Sequence, residues 1–266
     1  VDWKSFFDRL GMNGTRWQWR IMRWQKQFKD IAAGRPVGTS TISVTSTLII
    51  INLILFSIMI LQGMANGRGI TPFLSPDASL LIHMGAQSWL RVTHVHEWWR
   101  CITYAYTHGG LMHLGFNMVV LYQVGTHIES EIGKSRFFVL YTLTALTATG
   151  LGYFWHPDTV VVGASGSLFG VIGFSVAYFH RQGTSYSFSQ RNFMLQWAIF
   201  AFVFGLMVGA DNAGHLGGAL GGAVLGLVLP QGVRGRKSTR WLFNSMAAVC
   251  LAATIWSFYK LAVFLF

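Results

Sequence analysis

The chain has 266 residues, 52% of them hydrophobic and only 11% charged, whereas a soluble domain carries about 25% charged residues. That composition excludes water as the main solvent, so the meaning of the +11 net charge depends on where the 20 Lys and Arg residues fall. Cys101 and Cys250 form no CxxC or metal-ligand spacing, which indicates neither a disulfide framework nor a zinc site.

Residues 1–41 form a basic tail in which Trp3, Trp17, Trp19, Trp24 and Phe28 interleave with the cations. It has no central apolar run and does not read as a secretory signal peptide. Two readings fit it: an amphipathic segment held on anionic lipid, or a solvated topology signal.

A hydrocarbon core about 30 Å thick needs about 20 mostly apolar residues in a helix, because lipid offers the backbone no hydrogen-bond partners. Seven segments meet that demand, at residues 42–64, 111–128, 137–155, 163–179, 193–209, 214–229 and 242–264. With the tail in the cytoplasm, alternate loops add Lys134, Arg136, Arg181, Arg191, Arg234, Arg236, Lys237 and Arg240 to the tail's cations. That side then holds 16 of the 20 basic residues, as the positive-inside rule expects. The charge is explained by topology, without nucleic acid. The loop at 65–99 is long and apolar, with Leu80, Leu81, Trp89 and Trp98, and is expected in the outer interface.

Polar residues inside spans mark three places. His108, His113 and Asn117 open the second span, and the four-residue spacing puts His113 and Asn117 on one helix face, able to donate to one oxygen. Gly163-Ala164-Ser165-Gly166 opens the fourth, where helix-start amides lack intrahelical partners and glycine admits a substrate backbone. This has the physics of an oxyanion hole. In the sixth, His215, Gly218 and Gly222 share a face that matches the small stripe of Gly166, Gly170 and Gly173, so close packing would bring His215 to Ser165. A serine needs such a base to become nucleophilic. Taken singly, glycine stripes mean helix packing, and a span serine or histidine means a bonded polar group. Their joint occurrence favours chemistry.

From Glu97 to Gly222 these residues resemble the rhomboid family of intramembrane serine proteases. Trp99-Arg100 is similar to the family's first-loop pair, Gly163-Ala164-Ser165-Gly166 to its GxSG motif, and His215 with Gly218 and Gly222 to its sixth-span motif. The resemblance implies an all-α polytopic membrane protein, with a six-helix core at 42–231 and a basic linker plus seventh span at 232–266. It makes Ser165 the nucleophile and His215 the base, with oxyanion stabilisation around His113, Asn117, Gly163 and Ser165. Trp99, Arg100, His108, Gly166, Gly170, Gly218 and Gly222 take structural roles. No metal or cofactor is implied; the expected partners are transmembrane protein substrates and the bilayer.

Asp211, the only acid near His215, is expected to have a structural or loop role, and the His94/His96 pair an interfacial one. No HExxH or GxGD motif supports a metallo- or aspartyl intramembrane protease, and no full GxSxG elbow supports an α/β-hydrolase. The competing reading is a noncatalytic relative that binds membrane helices, with a transporter a distant third. A bacterial inner membrane, with the N-terminus cytoplasmic and the site opening outward, is the expected home.

Overall fold

The computed structural model describes residues 43–208 and 211–265, with scattered positions before residue 26. The aromatic anchors of the tail and Gly209 lie outside the described residues. Ser43–Phe266 is one compact unit and Val1–Ile42 another.

The first unit is all-α, and helices cover each of the seven apolar segments. Helix α1 (Val44–Ala65) starts where the Ser43 hydroxyl accepts from Ser46 N. The Glu129 carboxylate reinforces that start, accepting from the amides of Val44 and Thr45 at 2.9 and 2.8 Å. A carboxylate at a helix start satisfies amides that lack intrahelical acceptors and complements the helix dipole.

The long outer loop is built from four short helices: α2 (Thr71–Leu74), α3 (Ala78–His83), α4 (Trp89–His94) and α5 (Arg100–Thr103). Asp77 caps α3 and pairs with Arg68 at 2.7 Å; the Leu80 amide and Arg68 hold its carboxyl below the usual carboxylate range.

The second apolar segment is not one regular helix. It runs as α6 (Leu111–Val120), a π-helical turn (Leu121–Gly125) and α7 (Thr126–Ile132), ending at Gly133 with φ +89°. Then follow α8 (Lys134–Trp155), α9 (Ser165–Gln182), α10 (Ser185–Val208), α11 (Asn212–Val228), the short α12 (Gly232–Ser238) and α13 (Arg240–Leu265).

Among the described residues, α1, α8 and α13 are each long and apolar enough to cross a membrane alone, and α11 with α12, bent by 101°, passes as a pair. The reason lies in length and composition. Helices α9 and α11 have 18 and 17 residues, about 26 Å of rise, and both are rich in glycine. They give up apolar character for close contact.

That contact sets the bundle's centre. A Cβ at Gly218 would overlap the Gly166 carbonyl, one at Gly222 the Gly170 carbonyl, and one at Gly173 the Ala219 carbonyl. Helix α8 closes the third side, where a Cβ at Gly217 would meet the Thr147 carbonyl at 2.6 Å. Helix α10 packs on α9, and α13 on α8.

Gly222→Ala is expected to destabilise the fold by about 1–3 kcal/mol, because the two backbones must separate. Gly150→Ala, where a Cβ meets nothing within 4 Å, should leave the midpoint unchanged or raise it. Unfolding midpoints of the two variants in detergent check the contrast.

Candidate active site

Ser165 occupies the first turn of α9, after a loop that descends from the end of α8. Two features fix that loop. Val161 and Gln87 exchange backbone hydrogen bonds of 2.9 and 3.0 Å, and the Gly163 amide donates to the Tyr104 carbonyl at 2.9 Å. Gly163 has φ +116°, a conformation L-residues avoid. A Cβ there would also lie 2.6 Å from His113 Nε2. Glycine is therefore required on two counts.

Across the α9–α11 contact, His215 Nε2 lies 2.9 Å from Ser165 Oγ. The imidazole is only 5% exposed. Phe169, one turn beyond Ser165, stacks on it with ring centroids 4.2 Å apart and planes 18° from parallel. Such stacking is worth about 0.5–1.5 kcal/mol beyond burial and restricts ring orientation.

Opposite the dyad, the Gly109 amide approaches His113 Nδ1 at 3.3 Å. If Nδ1 accepts, the hydrogen sits on Nε2, which faces Gly163. Asn117 Nδ2 gives one hydrogen to the His113 carbonyl at 2.9 Å and keeps a second. The first intrahelical bond of α9 runs from Leu168 N to the Ala164 carbonyl, so the Ser165 amide precedes the ladder. Three kinds of donor thus surround the turn beside Ser165.

The Asp211 carbonyl accepts from the His215 amide at 3.0 Å as the first bond of α11, while its carboxylate turns away from the imidazole. Its carboxylate caps α11, accepting from the Gly214 amide at 2.8 Å, and pairs with His156 Nε2 at 2.7 Å. The sequence reading foresaw a structural part for Asp211 but missed His156, which follows α8 with no motif around it. Both line a cavity of about 640 Å³ with Ser165, His113, Trp155 and Ala213. The Phe169 stack was also missed; its place four residues after Ser165 on one helix is the only sequence signal for it.

His108 is buried, with its ring edge-on to His113 at 5.3 Å and neither ring nitrogen hydrogen-bonded. It has packing neighbours rather than a bonded role. Trp99 and Arg100 lie outside the cavity. Arg100 is fully buried and donates to Glu97 and to the carbonyls of Ile82 and Ala86. Its guanidinium lies 4.3 Å from the Trp99 ring and 5.1 Å from that of Phe264 on α13. Burial lowers its pKa and Glu97 opposes the change, and an arginine stays protonated. Cys101 and Cys250 are free thiols. His94 Nδ1 is bonded locally, to the Thr93 hydroxyl and the Leu90 carbonyl.

The rhomboid domain matches residues 95–232, more than half the chain, and the chain belongs to the rhomboid family. It is 32% identical over 160 residues to RHOMBOID-like protein 2 of Arabidopsis thaliana, an overlap of 59% of this chain and 50% of that protein. It is 28% identical over 216 residues to rhomboid protease GluP of Bacillus subtilis (strain 168), covering 80% of this chain and 39% of the relative. Inactive RHOMBOID-like protein 8 of Arabidopsis thaliana is 31% identical over 149 residues, 55% of this chain and 42% of its own. The chain spans about half or less of the length of these relatives.

Asp211→Ala removes the cap of α11 and the partner of His156, and is expected to lower stability by about 1 kcal/mol. Asp211→Asn, which still accepts from Gly214 N, should retain most of it. Thermal melts of the two variants in detergent separate capping from charge.

Proposed function

We propose that the chain is an intramembrane serine protease that hydrolyses peptide bonds in or near the transmembrane segments of other membrane proteins. The observation that carries this reading is the 2.9 Å contact between His215 Nε2 and Ser165 Oγ, in a setting where no other role for the pair is evident. An unactivated serine is a poor nucleophile, and a positioned imidazole supplies the missing base.

In the proposed reaction a substrate segment unwinds in the cavity, and Ser165 Oγ attacks the scissile carbonyl while its proton passes to His215 Nε2. The oxyanion is met by the Ser165 amide, His113 Nε2–H and the free hydrogen of Asn117. Gly163 contributes by having no side chain there. His215 then protonates the leaving amine. Water, activated by the same imidazole, releases the acyl group from Ser165. No third, acidic member is required, since Asp211 is engaged with Gly214 and His156.

We take residues 42–231 as the catalytic core, and 232–266 as a linker and seventh span appended to it. Loop charge supports a cytoplasmic N-terminus and a site opening outward. A bacterial inner membrane remains the proposed home, beside relatives from both Bacillus subtilis and Arabidopsis thaliana. The competing noncatalytic reading draws on the 31% identity to an inactive relative, and the hydrogen-bonded Ser165–His215 pair weighs against it.

Detergent-purified protein is expected to cleave a single-span substrate carrying helix-breaking residues near one end, and Ser165→Ala to abolish cleavage. Asn117→Ala should lower the rate by about 100- to 1000-fold, the usual effect of losing one oxyanion donor. A fluorophosphonate probe should label Ser165 in the wild type and not in His215→Ala. Absence of both cleavage and labelling in the wild type would give first place to helix binding without catalysis.

A further inference from the structure

Helix α10 leans on α9 and has little contact with α11. This leaves a groove of about 560 Å³ along α9, between α10 and α11. Its walls are apolar and often small, with Gly173, Ala177, Ala198, Ala219 and Ala223 along its length and Phe169 at one end. At the other end stand His180 and Arg191. No carboxylate lines it.

The polar end has donors to spare. Arg191 Nη1 approaches His180 Nδ1 at 3.1 Å, and the guanidinium lies over the Phe188 ring at 5.0 Å. If Nδ1 accepts, the exposed Nε2 carries hydrogen. Arg191 gives two of its five N–H groups to Asn192 Oδ1 and presents a charged fork suited to phosphate. This end also belongs to the side of the bundle whose loops carry the cation excess.

Length and the cationic end select the occupant. From Phe169 to His180, both on α9, the helix rises about 16 Å, half of a hydrocarbon core of about 30 Å. A groove of that length matches the reach of one lipid tail.

We propose that this groove binds one anionic glycerophospholipid, its tail lying along α9 toward Phe169 and its phosphate held by Arg191 and His180. Binding does not depend on Ser165 chemistry.

Native mass spectrometry of the detergent-solubilised chain, titrated with dioleoyl phosphatidylglycerol or dioleoyl phosphatidylcholine, tests this. The wild type is expected to retain the anionic lipid about tenfold more tightly, a difference of about 1.4 kcal/mol. Arg191→Gln combined with His180→Gln should abolish that preference while zwitterionic lipid still binds. Ala198→Trp should reduce retention of both lipids by filling the apolar wall, with an unfolding midpoint near that of the wild type. Equal retention of the two lipids by the wild type, or retention unaffected by Ala198→Trp, would overturn the proposal. Displacement of the anionic lipid by millimolar inorganic phosphate would overturn it in favour of a free anion site, and displacement by a single-span peptide in favour of a helix.

Discussion

Two backbones in near contact hold the rest of this structure in place. Within lipid there is no hydrophobic drive to bring one apolar helix to another, so helices associate through van der Waals packing and the hydrogen bonds they can exchange. Gly218 and Gly222 on α11 meet the carbonyls of Gly166 and Gly170 on α9, and Gly173 on α9 meets the Ala219 carbonyl, while a Cβ at Gly166 or Gly170 would meet Ala148 or Thr144 of α8. His215 is one turn before Gly218, and Ser165 is the neighbour of Gly166. The distance between imidazole and hydroxyl is therefore a consequence of how closely the backbones meet, and a methyl group added at Gly173, Gly218 or Gly222 would lengthen it.

The orientation of the Ser165 turn depends on residues far away in sequence. The loop before α9 is pinned by Gln87 and by the Tyr104 carbonyl, both supplied by the segment joining α1 to α6. That segment is itself stiffened by Arg100, Thr103 and Thr107, which donate to carbonyls of Ile82, Ala86, Gly85 and Met84. Phe264 of α13 then covers the Arg100 guanidinium. The Trp99 and Phe264 rings also touch each other, with centroids 5.7 Å apart, and the guanidinium lies against both, each cation–π contact being worth about 0.5–2 kcal/mol. Helix α13 thus reaches the outer loop, and through it the frame of the site.

Elsewhere polarity is neutralised locally. Thr144, Ser175 and Thr254 return hydrogen bonds to carbonyls four residues earlier in their own helices. Arg181 satisfies the carbonyls of Gly226 and Leu229 at the end of α11, where a cation also complements the dipole. By contrast, Asn117 Oδ1, His156 Nδ1 and His215 Nδ1 are buried without a hydrogen-bond partner among the described residues. These lie within one neighbourhood. Unsatisfied polar atoms are costly in an apolar medium, and these three belong to residues of the candidate site.

Composition and periodicity by themselves determined the solvent, the helical class and the positions of the apolar segments, because lipid leaves the backbone few choices. They also exposed the polar and glycine residues from which the site is assembled, since such residues stand out in an apolar run. Tertiary structure decided what local pattern does not encode. The π turn at Leu121–Gly125 breaks a segment that reads as uniform, and the outer loop folds into short helices around Arg100. The Asp211–His156 pair joins residues 55 positions apart with no motif at His156. Each of these depends on which surfaces meet across the bundle, and a sequence read along its own length carries no measure of that.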